Sequence, residues 1–94
     1  MTKIIYTDHL KLRMKLRSVP KHLPQTIFEK PSERYYDTIT KHQIAIATAM
    51  LKGKIKEYVL SFDEVDDRAE LITIHPIKPA QKLARVRSGR WRLL

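Results

Sequence analysis

The sequence predicts an α+β fold in which N-terminal helices pack on a four- to five-stranded antiparallel meander sheet, followed by a basic C-terminal helix or tail. Two observations favour this arrangement. Up to Pro31, cap residues and prolines stand where helices begin and end, whereas beyond it apolar side chains recur with a period of two. With 94 residues, 43% of them hydrophobic, the chain can form one core, so we expect a single domain over residues 1–94.

The first element is a short apolar run, TKIIYT, which predicts a first strand or the remnant of one. The next stretch, DHLKLRMKLR, is predicted to be a helix that begins at Asp8, with Thr7 or Asp8 as its N-cap. In that helix a separate polar face would carry Asp8, Lys11, Lys15 and Ser18. A strand remains the alternative, because apolar residues and charges also alternate along this stretch.

A second helix is predicted to follow at once. Ser18 would be its N-cap, Pro20 would stand near its first turn, and the helix would reach Phe28 before Pro31 ends it. Pro24 weighs against this interpretation, because it stands at the limit of where a helix tolerates proline.

Four strands are predicted after Pro31, each with apolar residues at alternate positions. They are ERYYD, QIAIATAML, IKEYVLSF and LITIHPI. A tight turn around Gly53 joins the middle pair, and the acidic stretch DEVDDR is predicted to be a solvated turn at the end of a hairpin. On the second strand Ile44, Ile46 and Met50 share one face and alanines the other, so we expect the helices to pack against the alanines.

The C-terminal stretch predicts a third helix from about Pro79, capped by Gly89, with Trp91 beyond it. Around the tryptophan stand four arginines, Arg85, Arg87, Arg90 and Arg92. Arginine presents forked donors to phosphate, and an aromatic ring can stack on an unpaired base, so we predict that Trp91 and these arginines bind RNA. Core packing of Trp91 is the alternative.

The charge balance indicates a polyanionic partner. Nineteen Lys and Arg against ten Asp and Glu give a net charge of +9 and a pI near 10.0, which favours nucleic acid and leaves an acidic protein open. No apolar run approaches the roughly 20 residues of a membrane span, and no cleavable signal is visible, so we expect a cytoplasmic protein without a membrane partner. The absence of Cys excludes thiol catalysis, disulfides and Cys-based zinc sites.

His9, Arg13 and Arg17 recur every four residues and would lie within the apolar arc of the first helix. Charged side chains there cost free energy unless they meet partners, so this stripe should border a cleft or an ion-pair network. In the ion-pair alternative the arginines pair with carboxylates such as Glu33 or Asp37, and His9 caps the helix.

The last predicted strand carries Thr73 and His75 on one face. Pro76 cannot donate to a ladder, which indicates an edge or a strand end, where side chains often project into a site. A hydrogen-bonded structural histidine is the alternative for His75. The four histidines have no short ligand spacing, and we predict no metal site and no cofactor.

The order of a His-x-x-x-Arg-x-x-x-Arg helix, a proline-terminated helix, a meander ending in LITIHPI and a basic RVRSGRW tail resembles a family of short prokaryotic domains of unknown function. That family is similar to a branch of the RelE/ParE, barnase and EndoU-like fold group, which contains many toxins of toxin–antitoxin systems. The resemblance covers nearly the whole chain and agrees with the predicted RelE/barnase-like fold. Ser18 departs from it, because glycine is expected after the second arginine of the helix.

This resemblance implies metal-independent RNA cleavage, in which the substrate's own 2′-hydroxyl attacks the neighbouring phosphodiester. His9 and His75 would supply acid and base, Arg13 and Arg17 would hold the phosphate, and Thr73 would donate a hydrogen bond. The pairing with His75 is our own inference. The resemblance also implies an acidic antitoxin partner. The alternative function is a non-catalytic nucleic-acid-binding or antitoxin-binding domain, which needs only a basic surface.

Overall fold

A computed structural model describes residues 2–94, which form three helices and six strands. In chain order these elements are β1 (Lys3–Tyr6), α1 (Asp8–Arg17), α2 (Leu23–Glu29), β2 (Glu33–Asp37), β3 (Gln43–Leu51), β4 (Lys54–Val65), β5 (Arg68–Ile77), α3 (Pro79–Arg87) and β6 (Trp91–Leu93). Among these residues no helix is long and apolar enough to cross a membrane.

The sheet differs from the predicted antiparallel meander of four to five strands. It has six strands in the order β1-β5-β4-β3-β2-β6, and β1 runs parallel to β5, with Lys3 opposite Arg68. At the other edge β6 pairs with β2, with Trp91 opposite Asp37. The predicted fold class is therefore wrong: the sheet is mixed, and helices lie on both of its faces. Local periodicity indicates which segments are strands, but not which distant segments pair.

The stretch from Asp8 to Arg17 is a helix, as predicted, because both of its ends are capped. The Thr7 hydroxyl accepts a hydrogen bond from the Leu10 amide at 3.2 Å, and Ser18 ends the helix in the left-handed conformation, at φ 53° and ψ 45°. Ser18 is thus a C-cap, and its predicted role as the N-cap of α2 is wrong, since an N-cap needs extended backbone. Helix α2 begins only at Leu23, which places Pro24 in the first turn, where proline is tolerated.

Strands β2 and β3 coincide with the predicted segments, and the turn between β3 and β4 is tight, with Gly53 at φ 76°. The predicted acidic turn is wrong in extent. Strand β4 continues to Val65, which lies opposite Arg68, so only Asp66 and Asp67 form the turn. Two of the four acidic side chains, Asp63 and Glu64, therefore lie on the end of a strand instead of in a loop.

Two apolar clusters lie on the two faces of the sheet. Helices α1 and α2 pack on the first face, where Ala45 is fully buried, and this confirms that the helices meet the alanine side of β3. The second face carries Tyr35, Ile44, Ile46, Val59, Ile77 and Trp91. Met50 was expected beside Ile44 and Ile46, but it is 65% exposed, because it lies at the hairpin end beyond the cluster.

Helix α3 lies on the second face and is held there by charged side chains, since none of its residues is buried. The Lys82 ammonium lies 2.7 Å from Glu33 and 2.9 Å from Glu57. One turn further on, the Arg85 guanidinium lies 5.1 Å from the centre of the Trp91 ring. These contacts place Arg85 over the sheet.

Candidate active site

Helix α1 is fastened at both ends to β5. The Thr7 hydroxyl donates to the Leu71 carbonyl at 2.8 Å, and the Arg17 guanidinium donates to the Ile74 carbonyl at 2.7 Å. Strand β1 pairs with β5 only as far as Leu71, so the Ile74 carbonyl lies on the part of the edge that β1 leaves free. This geometry brings the C-terminal end of α1 to the backbone next to His75, and it agrees with the edge position that Pro76 predicts.

His75 lies opposite Val59 and therefore points to the face that carries α3. Burial, followed by the positive charges of Arg85, Arg17 and Arg13, lowers the pKa of His75 from 6.5 to about 4. The imidazole is therefore neutral at pH 7. Arginines from α1 and α3, which lie on opposite faces of the sheet, thus act on a single histidine at its edge.

The ion-pair alternative for the arginines of α1 is wrong. Glu33 pairs with Lys82, and Asp37 pairs with Arg90, so the two expected carboxylates are already occupied. Within residues 2–94, Arg13, Arg17 and Arg85 form no ion pair with Asp or Glu. We call these three arginines together with His75 the edge cluster. Among the described residues no direct ion pair offsets its positive charge, although Arg85 feels a carboxylate, Asp37, at longer range. Such a cluster favours binding of an anion.

His9 is connected to the edge cluster through Arg13. The Arg13 Nε–H donates to His9 Nε2 at 3.4 Å across one helical turn, and the imidazole is exposed. Since Thr7 caps the helix, the alternative role of His9 as the cap is wrong.

Thr73 lies on the same face as His75, as predicted. It is partly buried opposite Ser61, one pleat before the Val59–His75 pair. A β-bulge follows the Ser61–Thr73 pair, because Phe62 on β4 lies opposite Leu71 on β5. The threonine hydroxyl is therefore on the correct face to contact a phosphate or ribose bound at His75.

Trp91 is a core residue and does not belong to an RNA-binding surface. It is 2% exposed and stacks on Tyr35 at a centroid distance of 5.6 Å, and its indole N–H donates to Asp37 at 3.1 Å. Arg90 is structural as well, because its Nε and Nη2 lie 3.1–3.2 Å from the same carboxylate. The prediction of RNA contact is therefore wrong for Trp91. For Arg90, whose side chain is 31% exposed, it stays a prediction.

Asp37 is well suited to this structural role. Burial raises its pKa, but hydrogen bonds from Arg90, from the backbone amides of Thr40 and Ile39, and from Trp91 lower it well below the usual range. The carboxylate thus stays ionised and anchors β6 and the turn after β2. Of the predicted basic tail, Arg87 and Arg92 are exposed, and only Arg85 reaches the edge cluster. Sequence reasoning assigned Arg85 to the tail, because nothing local indicates that α3 packs on the face of the sheet that carries His75.

Comparisons with protein-family models, with curated proteins and with solved structures found no match. The fold and site define this protein as an α+β domain with a six-stranded mixed sheet. Its neutral His75 lies on β5 beyond the end of the β1 pairing, where the charges of three arginines act on it.

Proposed function

We propose that the protein is a metal-independent endoribonuclease that binds a phosphodiester of RNA at the edge cluster. The observation that carries this proposal is the convergence of Arg13, Arg17 and Arg85 on a partly buried, neutral His75. Forked guanidinium donors suit phosphate oxygens, and a neutral imidazole beside them can accept a proton. Three cations that lack carboxylate partners within residues 2–94 are also suited to stabilise the additional negative charge of a phosphorane.

In the proposed reaction His75 takes the proton of the 2′-hydroxyl while O2′ forms a bond to phosphorus. The bond from phosphorus to O5′ breaks, and the leaving oxygen takes a proton from the protonated form of His9, one helical turn from Arg13. In that form His9 Nε2 no longer accepts the Arg13 hydrogen bond of the free protein. The products are a 2′,3′-cyclic phosphate and a 5′-hydroxyl. A bound phosphate raises the pKa of His75, because it offsets the charges of the three arginines. His75 therefore holds a proton more strongly once the substrate phosphate is bound.

A non-catalytic RNA-binding domain is the second candidate. The low pKa of His75, about 4, favours it, because so weak a base contributes little catalysis unless bound phosphate raises that pKa. The edge cluster would then serve only as a phosphate contact. In the cell we propose a toxin role, with an acidic antitoxin as the partner that complements the net charge of +9.

The test is cleavage of single-stranded RNA in excess EDTA, with analysis of the product ends. We expect cleavage to persist in chelator and to leave 2′,3′-cyclic phosphates. Arg13→Met should abolish cleavage and leave the free energy of unfolding equal or higher, because this arginine has no carboxylate partner among residues 2–94. The matched control is Lys30→Met, which alters an exposed basic residue at the end of α2 and should retain cleavage.

Three results would contradict the proposal. Complete loss of cleavage in EDTA with recovery on adding a divalent metal would overturn the mechanism. RNA binding without any cleavage by the parent would favour the non-catalytic domain. Destabilisation of Arg13→Met by roughly 3–5 kcal/mol with RNA affinity intact would make Arg13 a structural residue, since that is the cost of stranding a buried partner charge.

A further inference from the structure

A cavity of about 510 Å³ opens between the β3–β4 hairpin and the start of α3, and Pro76, the residue after His75, is among its lining residues. Its walls include Ile55, Ile77 and Pro79, with Thr48 and Glu57 as polar members. The sequence gives no indication of it, because its walls come from four separate elements and the segment before α3.

The cavity lies on the same face of the sheet as His75. Ile77 is opposite Glu57, and His75 is opposite Val59, so the floor of the cavity is one pleat, or about 7 Å, further along β5. A ligand group in the cavity is thus within one nucleotide of a phosphate bound at the edge cluster.

The walls combine apolar surface with uncompensated positive charge. Ile55 contributes apolar surface to the cavity and is 67% exposed. Lys56 and Lys78 also line the cavity, and within residues 2–94 neither forms an ion pair with a carboxylate. The one acidic member, Glu57, is neutralised by Lys82 at 2.9 Å. An acidic ligand can therefore approach without repulsion.

One further side chain in the cavity has an unused donor. The Gln81 carbonyl oxygen accepts the Lys78 amide at 3.0 Å, which fixes the side chain and leaves its NH₂ group available. Apolar walls with a few fixed polar groups are typical of a small-molecule site. These features fit a flat group with apolar faces and a hydrogen-bonding edge that lies near a phosphate. A nucleotide combines such a base with a phosphate.

We propose that this cavity binds the base of the nucleotide adjoining the phosphate at the edge cluster and thereby selects which RNA is bound. The proposal rests on the proposed function in that it takes RNA as the ligand. Ile55, Ile77 and Pro79 contact the faces of the base, the Gln81 NH₂ group and the Thr48 hydroxyl contact its edge, and the lysines attract the backbone.

The test compares ligands with and without a base on the full chain. Ribose 5-phosphate and the 3′- and 5′-monophosphates of adenosine, guanosine, cytidine and uridine are titrated by calorimetry. We expect at least one nucleotide to bind about tenfold more tightly than ribose 5-phosphate, the usual gain from one stacked base. Thr48→Trp, which fills the cavity, and Ile55→Ser, which removes its rim, should bring this ratio close to one and leave the affinity for ribose 5-phosphate unchanged.

The matched control is Ile39→Ser, since Ile39 is 68% exposed in a turn outside the cavity walls. It should retain the preference for the nucleotide. Equal binding of nucleotides and ribose 5-phosphate by the parent, no binding of either, or a preference that survives both cavity variants would each overturn the base site. A clear preference in a parent that never cleaves RNA would overturn the ribonuclease and leave the base site intact. Cleavage by a parent that shows no preference for nucleotides over ribose 5-phosphate would overturn the base site and leave the ribonuclease intact.

Discussion

At the scale of single residues, His75 determines how the site responds to pH. Its pKa is lowered from 6.5 to about 4, first by burial and then by the charges of Arg85, Arg17 and Arg13. The unfolded chain therefore takes up a proton at a higher pH than the folded one. Stability is therefore unaffected by His75 above pH 6.5, where the histidine is neutral in both states. It falls as the pH decreases towards 4, because only the unfolded chain takes up the proton.

We expect His75→Gln to remove this dependence. Between pH 7.5 and pH 5 the parent should lose about 2 kcal/mol more free energy of unfolding than the variant, as measured by urea denaturation. Both pH values lie above the range in which Asp37 protonates, so its buried ion pairs stay intact throughout. Parallel pH profiles of the two proteins would mean that burial and the neighbouring arginines do not lower the pKa of His75 in the free protein.

At the scale of elements, α3 is unusual because charged side chains face the sheet and Leu83 is 47% exposed. The hydrogen bonds from Lys82 lower the pKa of Glu33, and those to Glu33 and Glu57 raise the pKa of Lys82. Because Arg85 is one turn from Lys82, these ion pairs also set the position of Arg85 in the edge cluster.

We expect Lys82→Met to loosen α3 and to alter the site at a distance. Two carboxylates would be left without their cation, and we expect a loss of roughly 1–2 kcal/mol in stability, reduced by partial solvation. The pKa of His75, followed by NMR, should rise from about 4 towards 6.5 as Arg85 moves away. Lys82→Arg can bridge both carboxylates and should restore the parent value. An unchanged His75 pKa in Lys82→Met would show that other contacts hold α3.

At the scale of the whole molecule, the net charge of +9 leaves most lysines and arginines of residues 2–94 without an ion pair. Acidic residues neutralise Lys82, Arg90 and Arg34, whereas within residues 2–94 the arginines of the edge cluster form no ion pair with a carboxylate. In the proposed function, long-range attraction would bring RNA to the domain, and the edge cluster would contact its phosphates.

The affinity for single-stranded RNA should fall steeply with salt. Three phosphate contacts predict a slope of about −2 in log K against log salt concentration, and further lysine contacts make it steeper. Arg85→Gln should reduce the slope by about 0.7, whereas Lys30→Gln, at the end of α2 on the other face, should leave it unchanged. A flat salt response of the parent would exclude nucleic acid as the partner.

Much of the local structure was predictable from the sequence alone. The caps of α1, the periods of β2 and β3, the tight turn at Gly53 and the start of α3 at Pro79 depend on residues a few positions apart. The basic character and the spacing of His9, Arg13 and Arg17 are likewise properties of composition and order.

What only the tertiary structure decided was which of these parts meet. The pairing of β1 with β5, the addition of β6 beside β2, the burial of Trp91 against Asp37 and the approach of Arg85 to His75 join segments that are distant in sequence. Such contacts depend on the packing free energy of the entire domain, and no local period or cap encodes it. The helical stripe therefore predicted where positive charge would lie, but only the fold showed that the carboxylates expected to neutralise it bind Lys82 and Arg90 instead.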